Sequence, residues 1–279
     1  MAPNPDRPRS RRTRAAQGPA RAALCIAASI GLPLPALAQV PFFRLPRPTG
    51  ATFATATDVS PDGAWIAGYA GFPSAILEEQ AILWNPAHVA TKLGDVPTGL
   101  VVSRALAVSH DGLEPIVTCT GTEEFGTRPF HWRPSTGITP INTPAPSTYF
   151  TLLRDASADG QRLIGIGRPQ GSAPPLTVVR INGTTGALEE LGRPAVAVGD
   201  AQAYATNPAG TAIVGDAAAP APQDWIAYLW TEADGFLSLG LLAGFPDYST
   251  TARCVSDTAT IVAGDANFGV DPNITHVAY

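Results

Sequence analysis

The stretch Ala54-Thr-Ala-Thr-Asp-Val-Ser-Pro-Asp-Gly-Ala-Trp-Ile-Ala-Gly68 reads as a small-residue strand, a tight turn and an apolar run closed by glycine. It recurs. Its turn, Ser60-Pro-Asp-Gly63, returns as Ser109-His-Asp-Gly112, Ser157-Ala-Asp-Gly160, Asn207-Pro-Ala-Gly210 and Ser256-Asp-Thr-Ala259, at spacings of 49, 48, 50 and 49 residues. A period of about 40–50 residues marks stacked or radial supersecondary units rather than an ordinary globular chain.

The residues around each turn repeat as well. Small-residue strands precede it at Arg104–Val108, Leu152–Ala156, Ala201–Thr206 and Thr251–Val255. Apolar runs ending in glycine follow it at Leu163-Ile-Gly165, Ile213-Val-Gly215 and Ile261-Val-Ala-Gly264; the second repeat keeps Ile116-Val117 and lacks the glycine. A third run ends in tryptophan at Ala81-Ile-Leu-Trp84, Pro129-Phe-His-Trp132 and Ala227-Tyr-Leu-Trp230, with Val178-Val-Arg180 in its place in repeat three. Leu93-Gly94, Ile141-Asn142, Leu191-Gly192 and Leu239-Gly240 mark a fourth. Short β-rich runs separated by Gly, Pro, Asp and Asn read as a four-stranded meander. Such a unit cannot bury both faces alone, and radial stacking solves that. The prediction is an all-β fold, a β-propeller of about five four-stranded repeats. The last repeat stops at Tyr279 inside its third strand, and Leu45 falls where Leu241 falls in the fifth lead-in. The expectation is therefore that Val40–Leu45 supplies the missing strand and closes the ring, with an open array as the alternative. The recurring tryptophans read as inter-blade packing.

Residues 1–38 have the form of a secretory signal: Arg7, Arg9, Arg11, Arg12, Arg14 and Arg21, an apolar stretch from Ala22 to Leu34, and Ala36-Leu-Ala38 before Gln39. The expected domains are a signal peptide, 1–38, and a propeller, 39–279, secreted to the periplasm or beyond. Pro33 and Pro35 interrupt the apolar stretch, which makes it a poor membrane span. Six of the 18 basic residues and one of the 23 acidic residues lie in 1–38, which leaves 12 and 22 and a net charge of −10. With Lys92 its only lysine, such a chain is not built for nucleic acid or anionic membrane surfaces. Cys119 and Cys254 fall in blades that are not neighbours, so they are expected to be two buried free thiols rather than a disulfide.

The combination Ala-x-x-Val-Ser-x-Asp-Gly, Ile-Val/Ala-Gly, Ala/Phe-x-x-Trp and Leu-Gly resembles the bacterial HAF-type probable extracellular repeat family over residues 51 to 279. The resemblance implies an exported propeller-like protein and supplies no reaction. Arg180 and the turns Asn207-Pro-Ala-Gly210 and Ser256-Asp-Thr-Ala259 depart from its pattern.

Three sets of residues carry candidate chemistry. Thr57, Leu106, Arg154, Tyr204 and Arg253 are equivalent in the repeat but chemically different, while their neighbours stay small. Arg154, Tyr204 and Arg253 are the candidate ligand-binding residues, a polar and partly cationic ring suited to an anionic or sugar ligand. Asp58 and Asp155 share a repeat position and form a candidate catalytic carboxylate pair, which Asp216 or Asp265 would supplement; glycoside cleavage uses two such groups. Asp58, Asp62, Asp155 and Asp159 lie at spacings that begin a calcium loop, although Tyr69 and Ile166 stand where its bidentate acid belongs. The plainer reading is a hairpin turn in which aspartate bonds its own backbone. No cofactor is expected. The functional expectation is an exported binding module for a glycan or protein ligand, and the alternative is a polysaccharide hydrolase or lyase with axial carboxylates.

Overall fold

Ser60, Ser157 and Asn207 are buried polar residues, and each anchors a hairpin in the computed structural model. The Ser157 carbonyl accepts from Gly160 N at 2.8 Å, and its Oγ accepts from Arg162 N at 2.9 Å while donating to Asp159 Oδ1 at 2.6 Å. Ser60 repeats this set with Gly63, Trp65 and Asp62, and Asn207 Oδ1 replaces it by accepting from Thr211 N and Ala212 N. The turn ends in a left-handed residue, which is Gly63, Gly160 or Gly210 in three copies and Ala259 (φ 57°) in the last. Serine or asparagine at the first position and glycine at the fourth are therefore the residues this backbone favours, with Ala259 the exception in the last copy.

The structure describes residues 44–73, 78–94, 102–110, 114–123, 126–144, 149–169, 171, 175–221, 224–241, 249–267 and 276–278. The signal-like segment 1–38 lies outside them. The first blade is β1 (Phe53–Val59), β2 (Ile66–Phe72), β3 (Glu78–Trp84) and β4 (Ala90–Lys92). The second is β5 (Ser103–His110), β6 (Pro115–Glu123), β7 (Gly126–Arg133) and β8 (Gly137–Pro140). The third is β9 (Tyr149–Ala156), β10 (Arg162–Pro169), β11 (Thr177–Asn182) and β12 (Leu188–Gly192). The fourth is β13 (Ala201–Thr206), β14 (Ala212–Ala218), β15 (Trp225–Thr231) and β16 (Gly235–Gly240), and the fifth sheet is β17 (Ser249–Val255), β18 (Val262–Asn267) and β19 (His276–Ala278). Each sheet is an antiparallel meander in chain order. The first strands β1, β5, β9, β13 and β17 neighbour one another in succession, which puts them around the axis of a β-propeller. Four blades are complete, and the fifth sheet has three strands among the described residues.

The blades are held by layers of apolar side chains shared between neighbours. Ala67 and Leu83 of the first blade meet Val117, Cys119 and Phe130 of the second. Ile164, Ile166 and Val178 of the third meet Ala203, Ile213, Tyr228 and Trp230 of the fourth. Burial of this kind contributes roughly 25 cal/mol per Å² of apolar surface and is the main favourable term. Trp132 and Trp230 face the preceding blade, as inter-blade packing requires.

Two expectations are corrected. The lead-in 44–48 forms no strand, and residues 40–43 lie outside the described residues. Leu45 instead packs on Ala70, Phe72, Ile82 and Trp84 of the first blade, and Trp84 Nε1 donates to Pro46 O at 2.7 Å. Of the expected strand Val40–Leu45 only Arg44 and Leu45 are described; neither pairs in a sheet, and Leu45 packs against the first blade. Both cysteines are free, but only Cys119 is buried; Cys254 is exposed on an axial strand.

Replacing Ser157 by Ala leaves the Arg162 amide without its acceptor and is expected to cost about 1–3 kcal/mol, read as a lower urea midpoint. Ala259→Gly relieves a left-handed alanine and is expected to stabilise by about 1 kcal/mol in the same assay.

Candidate functional site

An axial strand is the edge of its sheet, so half of its N–H and C=O groups point away from the ladder, toward the axis. In every blade that strand also carries a bulge. The register slips between Ala56 and Asp58, Ala105 and Ala107, Leu153 and Asp155, Ala203 and Ala205, and Ala252 and Cys254. The skipped residues are Thr57, Leu106, Arg154, Tyr204 and Arg253, the same five positions whose chemistry varies. A bulge adds one residue that the ladder does not pair, and it re-aims that side chain. The paired strand gives way opposite it: a Cβ on Gly68, Gly165, Gly215 or Gly264 would lie 2.0, 2.3, 1.8 or 1.9 Å from an axial-strand carbonyl oxygen. The recurring glycine thus belongs to the bulge. In the second blade Cys119 takes this register position, ten residues after Ser109 rather than the eight that separate Ser60 from Gly68.

Asp58 and Asp155 follow the bulges of blades one and three. Each accepts an amide from the next blade: Asp58 Oδ2 from Val108 N at 2.8 Å, and Asp155 Oδ2 from Thr206 N at 2.9 Å. Asp155 Oδ1 also takes its neighbour Ala156 N at 2.8 Å. Both carboxylates line one cavity of about 140 Å³, together with Ala107, Val108, Thr206 and Pro208. Burial raises the pKa of Asp58, against the amides of Val108 and Val59. Burial, with the charge of Asp58 added, pushes Asp155 up to about 7 against the amides of Thr206 and Ala156.

The candidate ligand residues lie together on blades three to five. The Arg253 guanidinium stands 4.6 Å from the centre of the Tyr204 ring, and its Nε donates to Asp265 Oδ1 at 2.7 Å. Tyr204 OH is 3.4 Å from both oxygens of Asp216, and Thr251 Oγ1 donates to Asp216 Oδ2 at 2.8 Å. Asp216 is 4% exposed. Burial raises its carboxyl to about 6, opposed by the Thr251 hydroxyl, the charge of Arg253 and the Tyr204 hydroxyl. Burial and Asp216 also raise Tyr204, against Arg253 and Arg154. Arg154 is exposed, close enough to act on Tyr204, and has no ion pair among the described residues. Thr57 and Leu106 are committed elsewhere: the Thr57 hydroxyl donates to Ala105 O at 2.9 Å, and Leu106 packs beside Ala107 and Leu153. Thr251 is the member of this network that sequence reading did not single out. Its signal, a threonine in the strand next to Arg253, is too common to stand out.

The calcium-loop residues do not converge. Asp62 and Asp159 fold back on their own turns, accepting from Ala64 N at 3.0 Å and Gln161 N at 2.9 Å, while Asp58 and Asp155 turn into the axial cavity. Among the described residues no three His, Cys, Asp or Glu side chains are grouped to hold a metal ion.

No family model matches this chain, and no curated protein does. Solved structures do. A puromycin-hydrolysing peptidase of Mycobacterium tuberculosis is similar at 14% identity and a TM-score of 0.51 over 77% of this chain and 35% of its own. The oligogalacturonate lyase of Vibrio parahaemolyticus is similar at 12% identity and a TM-score of 0.45, over 75% and 64%. The β-propeller domain of the Trilobed protease of Pyrococcus furiosus is similar at 14% identity and a TM-score of 0.41, over 78% and 70%. This chain spans about a third of the length of the peptidase it matches. At these identities the likeness is one of fold, a β-propeller.

Thr251→Val keeps the shape of the side chain and removes the hydroxyl that favours the Asp216 carboxylate. The Asp216 titration followed by carboxyl carbon NMR is expected to move above its present midpoint of about 6. An unmoved midpoint would mean that the hydroxyl does not act on it.

Proposed function

We propose that this protein is an exported propeller of the extracellular-repeat type that acts as a binding module, with Arg154, Tyr204 and Arg253 as its ligand site. One observation carries the reading. Arg154 is an exposed, unpaired guanidinium at a bulge, beside the tyrosine on which Arg253 is stacked. A planar fork of donors without a partner among the described residues matches a carboxylate, sulfate or phosphate, and the neighbouring half-buried Tyr204 ring and hydroxyl suit a hydroxylated ligand. An acidic oligosaccharide has both features.

The alternative, a polysaccharide hydrolase or lyase, draws on the cavity that Asp58 and Asp155 share. At about 140 Å³ that cavity is smaller than the roughly 300–1,000 Å³ of ordinary ligand sites. The oxygens facing it are already holding backbone amides. The binding reading leaves these bonds intact.

A ligand bound only by the folded state raises the melting midpoint, by about 2.7 kcal/mol of stabilisation at a hundredfold excess over Kd. Uronate-bearing oligosaccharides are expected to shift the melt and their neutral counterparts to shift it less. Arg154→Ala is expected to leave the unliganded melt unchanged and to remove the shift. A panel in which no acidic glycan moves the midpoint, or a shift that survives in the variant, overturns the assignment.

A further inference from the structure

The Asp58 and Asp155 side chains share one cavity, yet neither lies on the strand of the amide it holds across the blade boundary. Asp58 ties β1 to β5 through Val108, and Asp155 ties β9 to β13 through Thr206. We propose that the two carboxyls form a proton-operated clasp: while one of the pair is protonated they fasten β1 to β5 and β9 to β13, and loss of that proton loosens the fastening. This inference does not depend on the ligand reading.

The argument starts from the lining. From β1 the titratable group that faces Asp155 is Asp58; β5 contributes Ala107 and Val108, and β13 contributes Thr206, none of them ionisable. On its own strand Asp155 is preceded by Arg154, whose side chain is exposed. So two like groups face a small space in which no cation balances them. A pair so placed resists carrying two negative charges and titrates as a unit. The amides of Ala156 and Thr206 favour the carboxylate but do not cancel burial and repulsion, since Asp155 stays near 7 rather than in the usual carboxylate range.

The sign follows. A carboxyl whose folded pKa lies above its unfolded one binds a proton more tightly in the folded state, so stability is greatest below the unfolded value and is lost as pH rises through the folded one. The clasp is fast under mildly acidic conditions and loosens as pH rises through about 7. Relief comes by turning a carboxylate out to water, and that frees the amide it held. Arg154 adjoins Asp155, and Tyr204 is two residues from Thr206, so the clasp also sets the spacing between blades three and four at the bulge.

The experiment is amide exchange of the whole chain at pH 6 and pH 8.5, corrected for intrinsic rates. Thr206 and Val108 are expected to lose protection about tenfold relative to amides of the β10–β11 ladder. Asp155→Asn, which holds a neutral side chain of the same shape, is expected to abolish the difference. Unchanged protection between the two pH values overturns the proposal, as does an equal loss in the ladder or a loss that persists in the variant. Should Asp155→Asn fail to fold, Asp58→Asn serves instead: removing the neighbouring charge that raises Asp155 is expected to move the midpoint of Thr206 deprotection to lower pH, and a midpoint that stays or rises overturns the clasp.

Discussion

The bulge in the axial strand is the constraint on which the rest of this propeller depends. One unpaired residue per blade shifts the ladder and brings an axial-strand carbonyl so close to the second strand that a Cβ there would lie about 2 Å away at Gly68, Gly165, Gly215 and Gly264. In these four blades the glycine that closes the apolar run is thus explained by the bulge and not by a turn, while the second blade carries its bulge with Cys119 in that register position. The residue after the bulge sits where its side chain reaches the next blade. In blades one and three that residue is aspartate, and it satisfies an amide that the edge strand points at the axis. Bulge, glycine and cross-blade aspartate are parts of one solution to an exposed strand edge in the middle of a molecule.

Two buried carboxyls near the axis show how differently the surroundings solve the same problem. Asp216 receives the Thr251 hydroxyl and the Tyr204 hydroxyl and feels Arg253. Asp155 receives two backbone amides and feels a second carboxyl. Burial is the largest cause of the rise at both; beside it the first arrangement supplies a compensating cation, and the second adds a like charge. Blades three to five therefore carry a network of paired charges open to solvent at Arg154, while the described lining of the cavity shared by Asp58 and Asp155 holds no cation.

Much of the fold was legible because it repeats. Five copies of one turn at nearly constant spacing set the blade unit, and small residues flanking a variable position marked the axial strand before any bulge was visible. What lay beyond reading were contacts between copies. The bonds of Asp58 and Asp155 reach residues about one repeat away, and nothing in either local sequence separates such a bond from a turn acid or a calcium ligand. The loss of glycine in repeat two, read from the sequence, is real. The hairpin there is longer, and Cys119 stands at the glycine position. Cys254 occupies the aspartate position of the repeat, which reaches toward a following blade, and among the described residues it is exposed. The lead-in's contact with the first blade could not be read from equivalence with Leu241, because it runs through Leu45 and the Pro46 carbonyl, which accepts from Trp84 Nε1.

The bulge also separates what this fold must conserve from what it can vary. Ala56, Ala105, Leu153, Ala203 and Ala252 are tied to the ladder and to the residue facing them, so their size is restricted. The residue that follows each is outside the ladder and contributes little to holding the sheet. Thr57 and Leu106 have been drawn into inter-blade contacts, one by a hydroxyl and one by packing. Tyr204 and Arg253 are stacked on each other. Arg154 is exposed and, among the described residues, its side chain has no hydrogen-bond or ion-pair partner, so the bulge presents it to solvent and the fold gains nothing from ordering it.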